Sequence, residues 1–217
     1  MIVKTEGLVL KQVNFSENSL ILKIFTREYG LLSFLIKGAK SGKNKSYGVL
    51  RPMSFLNLVF YLKENKNLCS LKEYQLVFAP DSKNFGMYKT AIAFFMTEVV
   101  QYSLTEENEK DISKYDFIRN SFDVLAQSND ISSGFYLSFF AQYAYFLGID
   151  INTDVFQNEE IRNFIDLLKS NENYSLKLNL SLLDRKNIFK EILGYYQYHL
   201  PHFKAIHSIE ILEKVFA

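Results

Sequence analysis

Glu17-Asn-Ser-Leu-Ile-Leu-Lys-Ile-Phe-Thr-Arg-Glu-Tyr-Gly-Leu-Leu-Ser-Phe-Leu-Ile-Lys-Gly-Ala-Lys40 is the stretch from which the architecture can be read. Its first half, Ser19 to Phe25, interleaves β-branched and aromatic residues with polar ones, as strands do. Thr26-Arg27-Glu28-Tyr29-Gly30 is a turn, in which Gly30 supplies positive φ at no steric cost. Leu31 to Ile36 is a second strand. The hairpin runs into Lys37-Gly-Ala-Lys-Ser-Gly-Lys-Asn-Lys-Ser-Tyr-Gly48, a loop with four lysines, three glycines and no acid. A strand pair that delivers a purely basic loop points to a surface that meets phosphates.

Working outward, Gly7 to Val13 reads as a strand before the hairpin. Phe55 to Leu62 reads as one after it, with Pro52 placed before it, where a missing N–H does little harm. Glu64 to Asn67 is a turn, and Leu68 to Phe78 a fifth strand. Five short strands without helical periodicity predict a small barrel over residues 1–80. An oligonucleotide-binding (OB) barrel has five strands and binds through one face and its loops. An SH3-like barrel is the rival on strand count alone.

Pro80-Asp81-Ser82 marks a boundary, beyond which the hydrophobic period changes from 2 to 3.6. Residues 81–217 are expected to be all-helical. Ile92, Phe95, Met96, Val99 and Val100 form one stripe; Tyr115, Ile118, Phe122 and Leu125 form a second. Ser133 to Phe146 is apolar nearly all round and reads as the central helix, with Gly148 in position to end it. Asn158 can cap a fourth helix. Ser181-Leu-Leu-Asp184 is a capping box that opens a fifth, and His207 to Phe216 is a short last one. The fold class is therefore α+β: a five-stranded barrel, then a helical domain.

The net charge of the 217 residues is +1, but it is unevenly spread. Residues 1–75 carry twelve Lys/Arg against five Asp/Glu, a net of +7, and the remainder carries −6. A basic barrel joined to an acidic helical part suggests different partners for each. The one cysteine, Cys69, excludes an intramolecular disulfide and reads as a buried apolar residue. No signal peptide or membrane-spanning run is evident, which gives the expectation of a cytoplasmic protein.

The motifs that would carry catalysis or metal chemistry are missing. Gly38 to Asn44 has three residues between its glycines instead of the four of a phosphate-binding loop, and Asn44 stands where Ser or Thr should hold the metal. His199, His202 and His207 are interrupted by Pro201 and have no cysteine partners, so zinc is not expected. No nucleophile with a base, nor a spaced carboxylate pair, emerges. The reading is a binding protein without cofactor or small-molecule substrate. Lys37, Lys40, Lys43, Lys45 and Arg51 would neutralise phosphates, with Lys11 and Arg27 behind them. Tyr47 and Tyr29 either stack on bases or plug the barrel end. A protein–protein adaptor whose basic barrel binds acidic partners is the alternative.

An ordered series of short motifs adds a resemblance. Glu6-Gly7, Val9-Leu10, Glu17-x-Ser19-Leu20, Phe25-Thr-Arg-Glu-x-Gly30, Lys37-Gly-Ala-Lys40 and Leu50-Arg-Pro-Met53 resemble, at this spacing, the N-terminal domain of the bacterial RecO recombination mediators. The resemblance implies an OB barrel that binds single- and double-stranded DNA and anneals complementary strands. It further implies work with RecR to help RecA replace single-stranded DNA-binding protein (SSB), and a nucleoid-associated location. Many relatives carry a four-cysteine zinc site in the helical domain; Ile151 to Leu180 holds no cysteine here, so no metal is implied. The helix ending Phe146-Leu-Gly-Ile-Asp150 resembles the one that helps to capture the acidic, aromatic-ended tail of SSB. Some relatives place arginine near its start, where this chain has Ser133-Gly-Phe135. The implied groove is then Phe135 and Phe139 with Arg119 as cation, unless the two rings pack in the core.

Overall fold

The computed structural model describes residues 1–38, 48–62, 68–80, 82–105, 110–155, 159–170 and 180–216. They form two compact units. The first joins Met1–Asp81 with Leu104–Asp116, and the second joins Ser82–Ser103 with Phe117–Ala217. The division placed at residue 80 by the sequence thus gains an exchange: a later segment returns to the barrel.

The first unit is a closed barrel of β1 (Ile2–Ser16), β2 (Ser19–Thr26), β3 (Gly30–Ile36), β4 (Phe55–Tyr61) and β5 (Leu68–Phe78), in the order β1-β2-β3-β5-β4. Neighbours are antiparallel except β3 and β5, which pair in parallel through Ser33–Leu35 and Leu68–Ser70. This closure is that of the OB fold. Alternation along the strands sends Leu20, Leu22 and Ile24 of β2, Phe34 and Ile36 of β3, and Leu56, Leu58 and Phe60 of β4 into one core, which Cys69 also joins. Phe60 meets Phe34 and Tyr29 edge-on at 5.1 and 5.5 Å between ring centroids. Tyr29 is therefore packed against the core.

β1 extends well beyond the Gly7–Val13 expected of it because it serves two partners. Ile2–Leu8 pairs with β4, and Gly7–Ser16 pairs with β2. The two ladders overlap at Gly7 and Leu8, where the strand passes from one neighbour to the other. A Cβ on Gly7 would lie 2.5 Å from Ile24 Cγ2 and 3.2 Å from both Leu58 Cδ1 and the Phe25 carbonyl oxygen. Only hydrogen fits there, so the barrel closes through the absence of a side chain.

The returning segment covers an outer face of the same barrel. Asp111 caps α2 (Ile112–Gln127): its carboxylate accepts the Lys114 N–H at 2.9 Å. The cap places Tyr115 against Phe25 and Phe55, at centroid distances of 5.7 and 6.3 Å, and its hydroxyl donates to Glu6 at 3.0 Å. Next to it, Arg27 Nε and Nη2 donate to the two carboxylate oxygens of Asp116 at 2.7 and 2.9 Å, and Nη1 donates to Glu28 at 3.2 Å. This fork matches guanidinium to carboxylate geometry. Hydrogen bonding to Asp116, then to Glu28, raises the Arg27 pKa, and hydrogen bonding from Arg27 lowers that of Asp116.

The second unit packs around α3 (Phe135–Tyr145), of which nine residues are buried. Phe140 stacks on Tyr196 of α5 (Leu182–His199) at 4.2 Å, and the Tyr196 hydroxyl donates to the Phe140 carbonyl at 2.8 Å. Burial pushes the Tyr196 pKa well up. On the other side, Phe117, Phe139, Tyr143 and Phe146 form a stack. α1 (Ser82–Ser103) is interrupted at Gly86, which takes φ 65°. Gly148 takes φ 70° just after α3. The capping box at Ser181 and Asp184 forms as expected, whereas the Asn158 cap expected for α4 (Glu159–Ser170) lies outside the described residues. Glu98 accepts the His207 and Ser208 N–H groups, holding the start of α6 (Ile209–Val215).

Gly7→Ala is expected to lower stability by about 1–3 kcal/mol, through overpacking against Ile24, in denaturant unfolding. The Arg27–Asp116 fork carries a pH signature. Because folding depresses the Asp116 pKa, its stabilisation is present above the unfolded carboxylate value and is lost as pH falls through the folded one. Asp116→Asn should therefore melt lower than the parent at neutral pH, and the gap should close as the pH falls below the ordinary carboxylate range. A gap that persists in strong acid would mean that the fork is not its cause.

Candidate nucleic-acid interface

The register of β1, β2 and β3 places outward-pointing side chains in rows across the barrel. Lys11 lies opposite Lys23, which lies opposite Ser33. Val13 lies opposite Ile21, which lies opposite Leu35, and Leu35 opposite Ser70. Two lysines directly across a strand pair repel each other, and such a pair is favoured by an anion between them. The second row ends in a cleft of about 400 Å³ whose lining includes Leu35, Lys37, Ser70, Lys72 and Tyr74. Lys37 is exposed at its edge, at the point where the basic loop leaves β3. Two sources of positive charge thus share one face, the Lys11–Lys23 pair and the Lys37–Lys72 cleft.

The remaining residues expected to bind nucleic acid have varied settings. Lys40, Lys43, Lys45 and Tyr47 lie outside the described residues. Lys11 is exposed on the face just described. Arg51 is exposed, and its Nη2 donates to the Pro80 carbonyl. Arg27 is committed to Asp116 and Glu28, which leaves a phosphate in competition with two carboxylates already in place. Lys23 and Lys72 were not singled out from the sequence. The alternation Leu20-x-Leu22-x-Ile24 carried the signal for Lys23, since it turns the residues between them outward.

In the second unit, Phe135 and Phe139 are 3% and 0% exposed and belong to the core. They do not line a groove, because α3 packs on most of its circumference. Arg119 forms an ion pair with Asp123 one turn along its own helix. An apolar cleft of about 620 Å³ is instead found past the end of α3, with Phe117, Tyr145, Phe146, Ile149, Ile151 and Lys169 in its lining. Tyr145 is 80% exposed there. Lys169 Nζ donates to the Ile151 carbonyl at 2.9 Å and lies 4.0 Å from Asp150. Among the described residues, no His, Cys, Asp and Glu group is placed to hold a metal, and no helix is long and apolar enough to cross a membrane.

Comparison with known proteins agrees with this geometry. The family model described as "Recombination protein O N terminal" matches residues 1–80, the segment that forms the barrel strands. Over the full length of both chains, the protein is 26% identical to the DNA repair protein RecO of Phocaeicola vulgatus and 28% identical to that of Flavobacterium psychrophilum. It is 31% identical to the DNA repair protein RecO of Chlorobium phaeobacteroides, over 74% of this chain and 62% of the relative. With the N-terminal module matched over residues 1–80, its barrel formed and similarity running from end to end, the chain is similar throughout to DNA repair proteins named RecO.

Proposed function

We propose that this protein is a recombination mediator in DNA repair, binding single- and double-stranded DNA and annealing complementary strands. The observation that carries this reading is the gathering of Lys11, Lys23, Lys37 and Lys72 on the face from which the 37–48 loop departs. Each phosphate that these cations neutralise releases counterion, so binding is steeply salt-dependent. Annealing needs no bond-making group. It requires only that phosphate repulsion between two strands be screened while they meet. The location that fits this role is the cytoplasm, with the nucleoid.

The same reading assigns the chain a place beside RecR in helping RecA onto DNA covered by SSB. The acidic helical domain does not suit DNA but does offer the apolar cleft beside Tyr145 and Lys169. An acidic tail that ends in an aromatic residue and a carboxylate would set its ring against Phe117 and Phe146 and its charge near Lys169. This cleft replaces the Arg119, Phe135 and Phe139 groove as the proposed tail site.

Replacing Lys37, Lys40, Lys43 and Lys45 together by Glu should weaken binding of a labelled 30-mer single strand by at least about a hundredfold at low salt, with the thermal melt unchanged. Unaltered affinity would refute the loop as a DNA-tracking surface. If the parent itself binds no DNA but holds an acidic protein, the adaptor reading takes over. Lys169→Glu should abolish calorimetric binding of an SSB tail peptide and leave DNA affinity as it was. A parent protein that takes up no peptide would remove the tail from the proposal.

A further inference from the structure

The barrel face carries more apolar surface than phosphate binding requires. Val13 is 41% exposed and Phe15 61%, in line with the half-buried Ile21 and Leu35. Phe15 owes its position to an irregularity in pairing. Asn14 lies opposite Leu20 and Ser16 opposite Ser19, so the register slips by one residue and Phe15 is the extra one. A residue displaced in this way leaves the ladder, and such irregularities re-aim side chains at functional surfaces. Here the slip sets a large aromatic ring in solvent at the tip of the β1–β2 hairpin.

We infer that Phe15, with the Val13–Ile21–Leu35 row, is a base-stacking platform that makes this face selective for unpaired DNA. The inference rests on the DNA-binding reading above and adds a division of labour to it. The lysine row and the Lys37–Lys72 cleft meet phosphates, which single strands and duplexes both present. An aromatic or apolar surface meets base faces, which only a single strand offers, since a duplex stacks its own bases inward. Stacking of this kind is tolerant of sequence because every base has a π-face. Charge complementarity chooses a polyanion for this surface over an apolar protein segment. The apolar row lies between Lys11 and Lys23 on one side and Lys37 on the other.

The chain has no tryptophan, which makes a direct test available. Phe15→Trp introduces a single indole at the proposed stacking position. Its fluorescence should be quenched by saturating oligo(dT), and quenched far less by a blunt duplex at equal occupancy. Phe15→Ala should lose about tenfold in affinity for a single-stranded 30-mer, with duplex affinity within twofold of the parent and an unchanged melt. Quenching that is equal for both DNA forms, or equal losses on both from Phe15→Ala, would overturn the platform while leaving the basic face standing. No quenching at saturation with oligo(dT) would do the same. An indole that responds to an acidic peptide but to no DNA would overturn both this inference and the DNA-binding reading.

Discussion

One strand has to close the barrel, and the fold depends on how it does so. β1 pairs along its first half with β4 and along its second half with β2. Every inward side chain of the OB core depends on those two ladders meeting at Gly7 and Leu8. A residue with any side chain at position 7 forces Ile24 or Leu58 aside. The cost of such crowding is paid in the close-packed interior, where volume cannot be redistributed. The same transfer lets β1 run on toward its exposed tip. Closure and the reach of the β1–β2 hairpin therefore come from one geometric device.

The sequence carried the barrel clearly and its decoration poorly. Period-2 alternation in Ser19–Phe25 and in Phe55–Leu62 located the strands within a residue or two, and the change to period 3.6 located the helices. The burial of Ile92, Phe95, Met96, Val99 and Val100 followed directly from their stripe. The return of Leu104–Asp116 to the barrel was not legible. It depends on Tyr115 finding Phe25 and Phe55, residues distant in sequence that no local pattern links. Phe135 and Phe139 were ambiguous for the opposite reason: a helix apolar all round does not say which side is closed. Tyr145 looked like part of that buried set yet is exposed, because α3 ends there and its neighbours do not extend to cover it.

Charge in this chain is arranged by position as well as by amount. Arg27 and the Lys11–Lys23 pair belong to the same small barrel but are handled differently. The arginine is given a carboxylate fork by Asp116, which fixes an internal contact. Lys11 and Lys23 are set beside each other across two strands, where like charges repel. The cations of one barrel thus stand in two settings, a fork that joins segments distant in sequence and a like-charge pair on the outer face of the sheet.

Cys69 adds a last consequence. It is the only sulfhydryl in the chain, is 1% exposed, and sits opposite Phe34 in the short parallel contact between β3 and β5. A thiol reagent cannot reach it while those strands are joined. Its alkylation rate in native buffer therefore counts the openings of the barrel along this seam, the one parallel pairing in the sheet. The molecule carries a built-in clock for the breathing of its own OB fold.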